Sequence, residues 1–376
     1  MSVTFLLLIN LLICYNLLMD YFFTQTITDI CERSLLSVER PLRCIIIVNP
    51  VAGGFIIKSK WRNCVNILRK CIDKIQANSK RTIYKSVILN ITEGKGSAGE
   101  ITKDFIERAA KDPIPFYLVI SAGGDGNHWE VMNTLYGAPE RVRSNMAVLR
   151  LPMGTGNDGA DSANLEDALD LLINPSHIEF SPAVLLKTAE GGPAFSKGPF
   201  LAFNILSLGL DAFVTHNTNI MKGKSPGDTY KLWLDIACLF YGCKYKIDYF
   251  DVRAFDDKNN EVLNFKEKLL LLAMGASGHR TYGSQQKILP DDRNFCAVKQ
   301  MLIFRKLAVK NLAVKGKHTD NSKVIMSNVH RVEFTCKHPI LAQMDGETIL
   351  LQPEDFPAVL ELSTPVIPFL KMGQSS

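Results

Sequence analysis

The chain has 376 residues, room for about two domains at roughly 150 residues each, with 47% apolar residues, 22% charged residues and a net charge of +5. That balance excludes a disordered chain, a collagen-like repeat and a polytopic membrane protein. Nine cysteines, none in a C-x-x-C pair, exclude a zinc module and a secreted disulfide framework and fit reduced thiols in a cytosolic setting.

The first segment, Val3 to Met19, is apolar but broken by Asn10 and Asn16. It is slightly short of the roughly 20 residues that span a bilayer. No basic residue precedes it, so it lacks the head of a secretory signal; the first is Arg33. It reads as a membrane anchor, an interfacial helix or an over-long start with Met19 as one alternative. If it inserts, the positive-inside bias leaves the body in the cytoplasm. Residues 1–40 are expected to stand apart as an extension, with the folded body beginning near Arg43.

From 41 to 174 strand and helix alternate. The continuous apolar runs Cys44 to Val48, Phe116 to Ile120 and Ala147 to Leu151 suit strands buried on both faces of a parallel sheet. Trp61 to Ile75, Ala98 to Ala110, His128 to Tyr136 and Leu165 to Ile173 carry helical spacing. This is the grammar of a doubly wound α/β domain. Within it, Lys58 to Lys85 holds nine Lys or Arg against Asp73 alone.

Three of these strands run into glycine-rich loops: Asn49-Pro50-Val51-Ala52-Gly53-Gly54, Gly123-Gly124-Asp125-Gly126-Asn127 and Pro152-Met153-Gly154-Thr155-Gly156-Asn157-Asp158. In α/β sheets ligands sit beyond the carboxyl ends of the strands, where backbone N–H groups meet anions. Glycine lets that backbone approach phosphate oxygens. Asp125 and Asp158 supply the carboxylates that a polyphosphate site uses for magnesium. Any one loop is also explained as a tight turn; three on successive strands point to a nucleotide. Gly154-x-Gly156-x-x-Gly159 and Gly94-x-Gly96-x-x-Gly99 fit the dinucleotide fingerprint, but neither opens a strand–turn–helix unit.

From 175 to 370 extended segments dominate: Ala183 to Thr188, Phe200 to Leu208, Ile247 to Phe255, Leu269 to Met274, Cys296 to Phe304, Val324 to Met326, Arg331 to Thr335 and Val359 to Leu362, with one clear helix at Thr229 to Tyr241. A mainly antiparallel β-sandwich is expected. A second basic stretch, Lys299 to Lys337, sets nine Lys or Arg against Asp320 and Glu333. The two stretches fit an anionic partner, whether nucleotide, acidic lipid or nucleic acid, or two solvated faces.

With NPVAGG, GGDGN-x-x-E and LPMGTGND in order, then Phe203-Asn204 to Gly209-Leu210-Asp211-Ala212 and Met344-Asp345-Gly346-Glu347, the sequence resembles the diacylglycerol kinase catalytic family, which includes sphingosine kinases and bacterial lipid kinases. The likeness runs from about Arg43 to Leu362. It implies two domains with ATP in a cleft, Mg2+, and a lipid hydroxyl at a membrane surface as acceptor, with no nucleic-acid partner. Separately, the apolar N-terminal segment and the basic Lys299–Lys337 stretch lead us to expect a peripheral or N-terminally anchored cytoplasmic location and contact of that stretch with anionic lipid. Carried over, Asn49, Gly53, Gly124, Gly126, Gly154, Thr155 and Gly156 line the phosphates, with Thr92 nearby. Asn127, Glu130 and Glu347 belong to the same cofactor set. Asp125 and Asp158 would hold the metal, supported by Asn157. Asp345 would be the general base, with Asp125 its rival.

Three departures accompany the likeness. Asn127 replaces the usual Thr, Gly159-Ala160-Asp161 replaces Phe-Ala-Arg after GTGND, and Asp291-Asp292-Arg293-Asn294 stands at the D-D-G segment that holds a structural magnesium. The alternatives are a homologue that binds nucleotide or lipid without turnover, and a kinase of a soluble acceptor such as NAD.

Overall fold

The computed structural model describes residues 22–32, 36, 40–77, 85–154, 156–162, 164–174, 176–221, 230–283 and 286–372. The apolar run from Val3 to Met19 lies outside them. Two compact units result, one up to Phe180 together with the segment from Ile367 on, the other Ser181–Val366.

The first unit opens with α1, residues 22–32. There follow β1 (Leu42–Val48), α2 (Gly53–Ile56), α3 (Lys58–Ala77), β2 (Lys85–Ile91), α4 (Ser97–Lys111), β3 (Phe116–Gly123), α5 (Asp125–Tyr136), α6 (Glu140–Arg143), β4 (Met146–Pro152), α7 (Leu165–Ile173) and β5 (Ser176–Ser181). β1 pairs in parallel with β2 on one side and β3 on the other, and β3 pairs in parallel with β4. Strand order therefore reverses at β1, the switch point at which α/β sheets open a crevice beyond their carboxyl ends. β3 is buried along its whole length, as its unbroken apolar run requires.

Helix α3 buries Trp61, Cys64, Leu68, Cys71 and Ile75, a strict three–four spacing that lays one face on the core. Burying side chains of this size stabilises by roughly 1.5–3 kcal/mol each. The same core contains Phe23, Ile27, Ile30 and Cys31 of α1. The Phe23 ring meets Phe55 edge-on at 5.2 Å. The expected boundary at 40/41 thus moves: part of the supposed extension is core of the first unit. Its sequence signal is the 23, 27, 30 spacing, which lays three apolar side chains on one helix face.

A second shift lies at the far end. The sheet order is β2-β1-β3-β4-β19-β5, where β19 (Ile367–Met372) is the last strand of the chain. Its Phe369 pairs in parallel with Val148 of β4. Both β5 and β19, assigned by sequence to the second domain, complete the first sheet.

The second unit comprises β6 (Val184–Lys187), β7 (Phe200–Ala202), β8 (Ile205–Gly209), α8 (Leu210–Met221), α9 (Tyr230–Lys244), β9 (Tyr249–Phe255), β10 (Glu261–Gly275), β11 (Arg280–Tyr282), β12 (Gln286–Leu289), β13 (Phe295–Lys299), α10 (Ile303–Val314), β14 (Val324–Ser327), β15 (Arg331–Thr335), β16 (Ile340–Met344), β17 (Glu347–Leu351) and β18 (Ala358–Leu362). Its strand pairs are antiparallel, and β10 is shared by two sheets. The first half of β10 pairs with β9, while the second half lies between β8 and β13. The expected strand Cys296 to Phe304 ends at Lys299, and Ile303 begins a helix that the sequence reading lacked. Apolar runs of that length do not separate strand from buried helix.

Candidate active site

The three glycine loops meet at the carboxyl ends of β1, β3 and β4. Asn49 N–H donates to Ala122 O at 2.9 Å, and its Oδ1 accepts from Val51 N at 3.2 Å, an Asx turn that starts the first loop. Gly54 N–H donates to Met153 O at 2.7 Å, fastening the first loop to the third; Gly53 beside it is buried at the start of α2. The second and third loops touch backbone to backbone. A Cβ on Gly154 would lie 2.5 Å from Gly124 Cα, which no side chain permits. Gly126 opens on free space, with nothing within 4 Å of a Cβ built there.

Gly124 caps α5 with extended backbone, φ −100°, and the first helical bond runs from His128 N–H to Gly124 O. The N–H groups of the preceding turn have no intrahelical acceptor and sit at the positive end of the helix. Asp125 begins that turn, and its Oδ1 accepts from Gly159 N at 2.8 Å. A Cβ on Gly156 would stand 3.1 Å from Asp125 Oδ2 and 3.3 Å from Asp158 Oδ2. Two carboxylates from different loops therefore converge on one glycine. That donor set fits Mg2+, which takes one or two carboxylates and leaves its other positions to water and phosphate. Asn157 adopts φ 61° and accepts Gly154 N–H on Oδ1 at 2.6 Å, closing the third loop on itself. Thr155 lies outside the described residues. Thr92 follows β2, half-circling the same end of the sheet through its N–H to Val48 O at 2.9 Å, with its side chain buried.

Two expected cofactor residues are used differently. Asn127 is buried and donates through Nδ2 to Ser121 Oγ at 2.8 Å, which also bonds His128 Nδ1 at 2.8 Å. Glu130 accepts Gly96 N–H at 2.7 Å and Ala98 N–H at 3.1 Å, capping the amino end of α4. The polar interior around α5 is electrostatically tuned: burial, and then the charge of Arg150, pull the His128 imidazole down to about 3. Sequence reasoning missed Lys60 of α3, whose Nζ lies 3.4 Å from Gly154 O. The only sign of it was the surrounding basic stretch.

The departure after GTGND has a structural counterpart. Asp161 and Arg150 form an ion pair with side chains 2% and 3% exposed, Nη2 to Oδ1 at 2.6 Å and Nε to Oδ1 at 3.1 Å. Arg150 N–H also donates to Asp161 Oδ2 at 2.6 Å. The guanidinium lies 4.1 Å over the Phe369 ring of β19. One buried pair thus ties the end of the third loop to β4 and to the last strand.

In the second unit, Asp345 (φ 48°) and Gly346 (φ 101°) form the two-residue turn between β16 and β17, as Asp-Gly at a hairpin favours. The Asp345 carboxylate accepts N–H bonds from Phe203, Asn204 (3.0 Å) and Ile205 (3.1 Å). The F-N and D-G-E segments are therefore one hydrogen-bonded piece. Glu347 is the first residue of β17, opposite Met344. A pocket of about 650 Å³, counting its open mouth, is lined by Leu234, Leu270, Ile288, Met301 and Val309, with the buried Asp211, Lys306 and His318 among them. Ser207 Oγ donates to Asp211 Oδ2 at 2.6 Å.

The D-D-G segment does not fit a structural metal. Arg293 donates to Asp291 from Nε at 3.0 Å and from its own N–H at 3.0 Å. Those side-chain hydrogen bonds hold the Asp291 carboxyl below its usual range. Asp292 turns to His279 Nε2 at 2.9 Å. Arg293 itself supplies the cation. Among the described residues no group of three His, Cys, Asp or Glu converges.

Residues 43–180 match the family model of the diacylglycerol kinase catalytic domain. The sphingoid long chain base kinase 5 of Saccharomyces cerevisiae is 26% identical over 211 residues, 53% of this chain and 27% of the yeast protein. The diacylglycerol kinase of Bacillus subtilis is 24% identical over 335 residues, 84% of this chain and 92% of the bacterial one. This chain therefore spans about a quarter of the yeast relative's length. A crystal structure of a diacylglycerol kinase from Bacillus anthracis str. Sterne has a TM-score of 0.51 at 15% identity, covering 87% of this chain and 96% of that one. A second from that organism reaches a TM-score of 0.56 at 18% identity, covering 87% and 94%. At such identities these two speak for the fold.

Proposed function

Starting from a chain whose residues 43–180 belong to the diacylglycerol kinase catalytic family, we propose that this protein transfers the terminal phosphoryl group of ATP to the hydroxyl of a membrane lipid. The observation that carries the proposal is the convergence of Asp125 and Asp158 on Gly156 within three backbone-bonded glycine loops. Phosphoryl transfer asks a protein for alignment and charge neutralisation rather than covalent chemistry. The α5 amino terminus offers N–H donors to phosphate oxygens. Lys60 adds positive charge beside Gly154 O. Asp125 and Asp158 would hold Mg2+, which supplies charge neutralisation to the triphosphate when bound.

The acceptor side rests on the second unit. The mainly apolar lining of its pocket suits a hydrocarbon chain, with the buried Asp211, Lys306 and His318 among its polar groups. This favours a lipid over a soluble acceptor. A carboxylate beside the hydroxyl accepts its proton as the new bond forms; Asp125 and Asp345 are the candidates. Asp345 has its carboxylate fixed by three amide donors, so replacing it disturbs the 203–205 segment as well as any chemistry.

The test is a membrane lipid extract incubated with protein, Mg2+ and γ-labelled ATP. A labelled lipid, lost with Asp125→Ala, is the expected result. Label on NAD instead, no label at all, or equal label from the variant overturns the reading.

A further inference from the structure

The second unit carries an apolar protrusion that its own fold leaves uncovered. Leaving β13, the chain buries Met301 and then exposes Leu302, Ile303 and Phe304 to 76%, 45% and 85% before Val309 of α10 turns inward again. Three consecutive exposed apolar residues at the head of a helix do nothing for the core and mark an interaction site. Beside α10, α9 exposes Leu239 and Phe240.

The charge along this segment of the chain is of one sign. From Lys299 to Lys317 the chain has six Lys or Arg and no Asp or Glu. The structure sorts them. Lys299 pairs with Glu267 at 2.7 Å, Lys310 pairs with Asp235, and Lys306 is buried. Arg305, Lys315 and Lys317 are exposed and enter no ion pair among the described residues.

We propose that Leu302, Ile303 and Phe304 insert into the interfacial zone of an anionic bilayer, with Arg305, Lys315 and Lys317 meeting the headgroups. Aromatic and aliphatic side chains flanked by unpaired cations form the composition of an interfacial helix. A second copy of this chain would set the same cations against one another across a two-fold contact. An anionic surface neutralises them instead, at roughly fivefold in affinity per cation within a Debye length. In the wider basic stretch to Lys337, Arg331 is already paired with Glu333. The inference needs no turnover and stands apart from the phosphoryl-transfer reading.

The experiment uses the full chain with vesicles of phosphatidylcholine alone or with about one-third phosphatidylserine. In a difference spectrum against the parent, Phe304→Trp should shift its emission to the blue and be quenched by brominated lipid, on anionic vesicles and less at high salt. Leu302→Ser with Phe304→Ser should weaken vesicle binding about tenfold while circular dichroism stays unchanged. Lys315→Ala with Lys317→Ala should weaken it and flatten its salt dependence. No spectral change for Phe304→Trp, or unchanged affinity for the serine pair, overturns the proposal. So does light scattering in which the serine pair splits a dimer of the parent, which would make this face a contact between copies. Insertion without any lipid phosphorylated would support the docking surface while removing the kinase reading.

Discussion

Asp161→Ala probes the buried pair that anchors the phosphate loops. The substitution leaves the Arg150 guanidinium, 3% exposed, without its carboxylate partner. Breaking one side of a buried pair costs about 3–5 kcal/mol. The Arg150 N–H loses its acceptor at 2.6 Å as well, adding about 1 kcal/mol or more. The total, about 4–6 kcal/mol, rivals the whole stability of a typical domain, about 5–15 kcal/mol. Urea unfolding followed by tryptophan fluorescence in a Trp233→Phe background reads the first unit, through Trp61 and Trp129. At an m-value of about 2 kcal/mol/M the midpoint should fall by about 2–3 M. Arg150→Met added to Asp161→Ala removes the orphaned charge and should recover about half of the loss, despite giving up the contact over Phe369. A fall below about 0.5 M for Asp161→Ala, or a double variant no better than the single, would refute the reasoning.

Three further outcomes follow from the same geometry. Gly154→Ala forces a Cβ to within 2.5 Å of Gly124 Cα, whereas Gly126→Ala meets nothing; the first should cost about 1–3 kcal/mol in thermal melts and abolish ATP binding by calorimetry, and the second should leave the fold intact. Glu130→Ala removes the cap of α4 and should cost about 1–2 kcal/mol with the KM for ATP unmoved; a tenfold rise in KM at unchanged Tm would make Glu130 a nucleotide contact instead. His128 binds its proton in the unfolded chain near pH 6.5 but in the folded one only near 3. Stability is therefore full above about pH 6.5 and falls as pH drops towards 3, by about 2 kcal/mol at pH 5 relative to neutrality. His128→Asn should flatten that slope, measured by urea midpoints across the range.

Much of the site was legible because phosphate loops are local. Glycines at strand ends, Asp125 and Asp158 sit within a few residues of the strands that position them, and an unbroken apolar run is enough to identify a buried parallel strand. What Asn127 and Glu130 do was not legible. A side chain in the first turns of a helix can face the loop or the core, and only tertiary neighbours such as Ser121 and the α4 amino end decide between them. Long-range pairings were equally hidden: Arg150 with Asp161 across a loop, Asp345 with the 203–205 backbone, and β19 returning to β4 across nearly the whole second unit. Chain order alone carries the chemistry available at each strand end and the alternation that builds the first sheet. Folding in three dimensions selects which carboxylates converge, which are consumed as caps and anchors, and that α1 belongs to the core, because burial and hydrogen-bond satisfaction are properties of neighbours that the order of residues does not state.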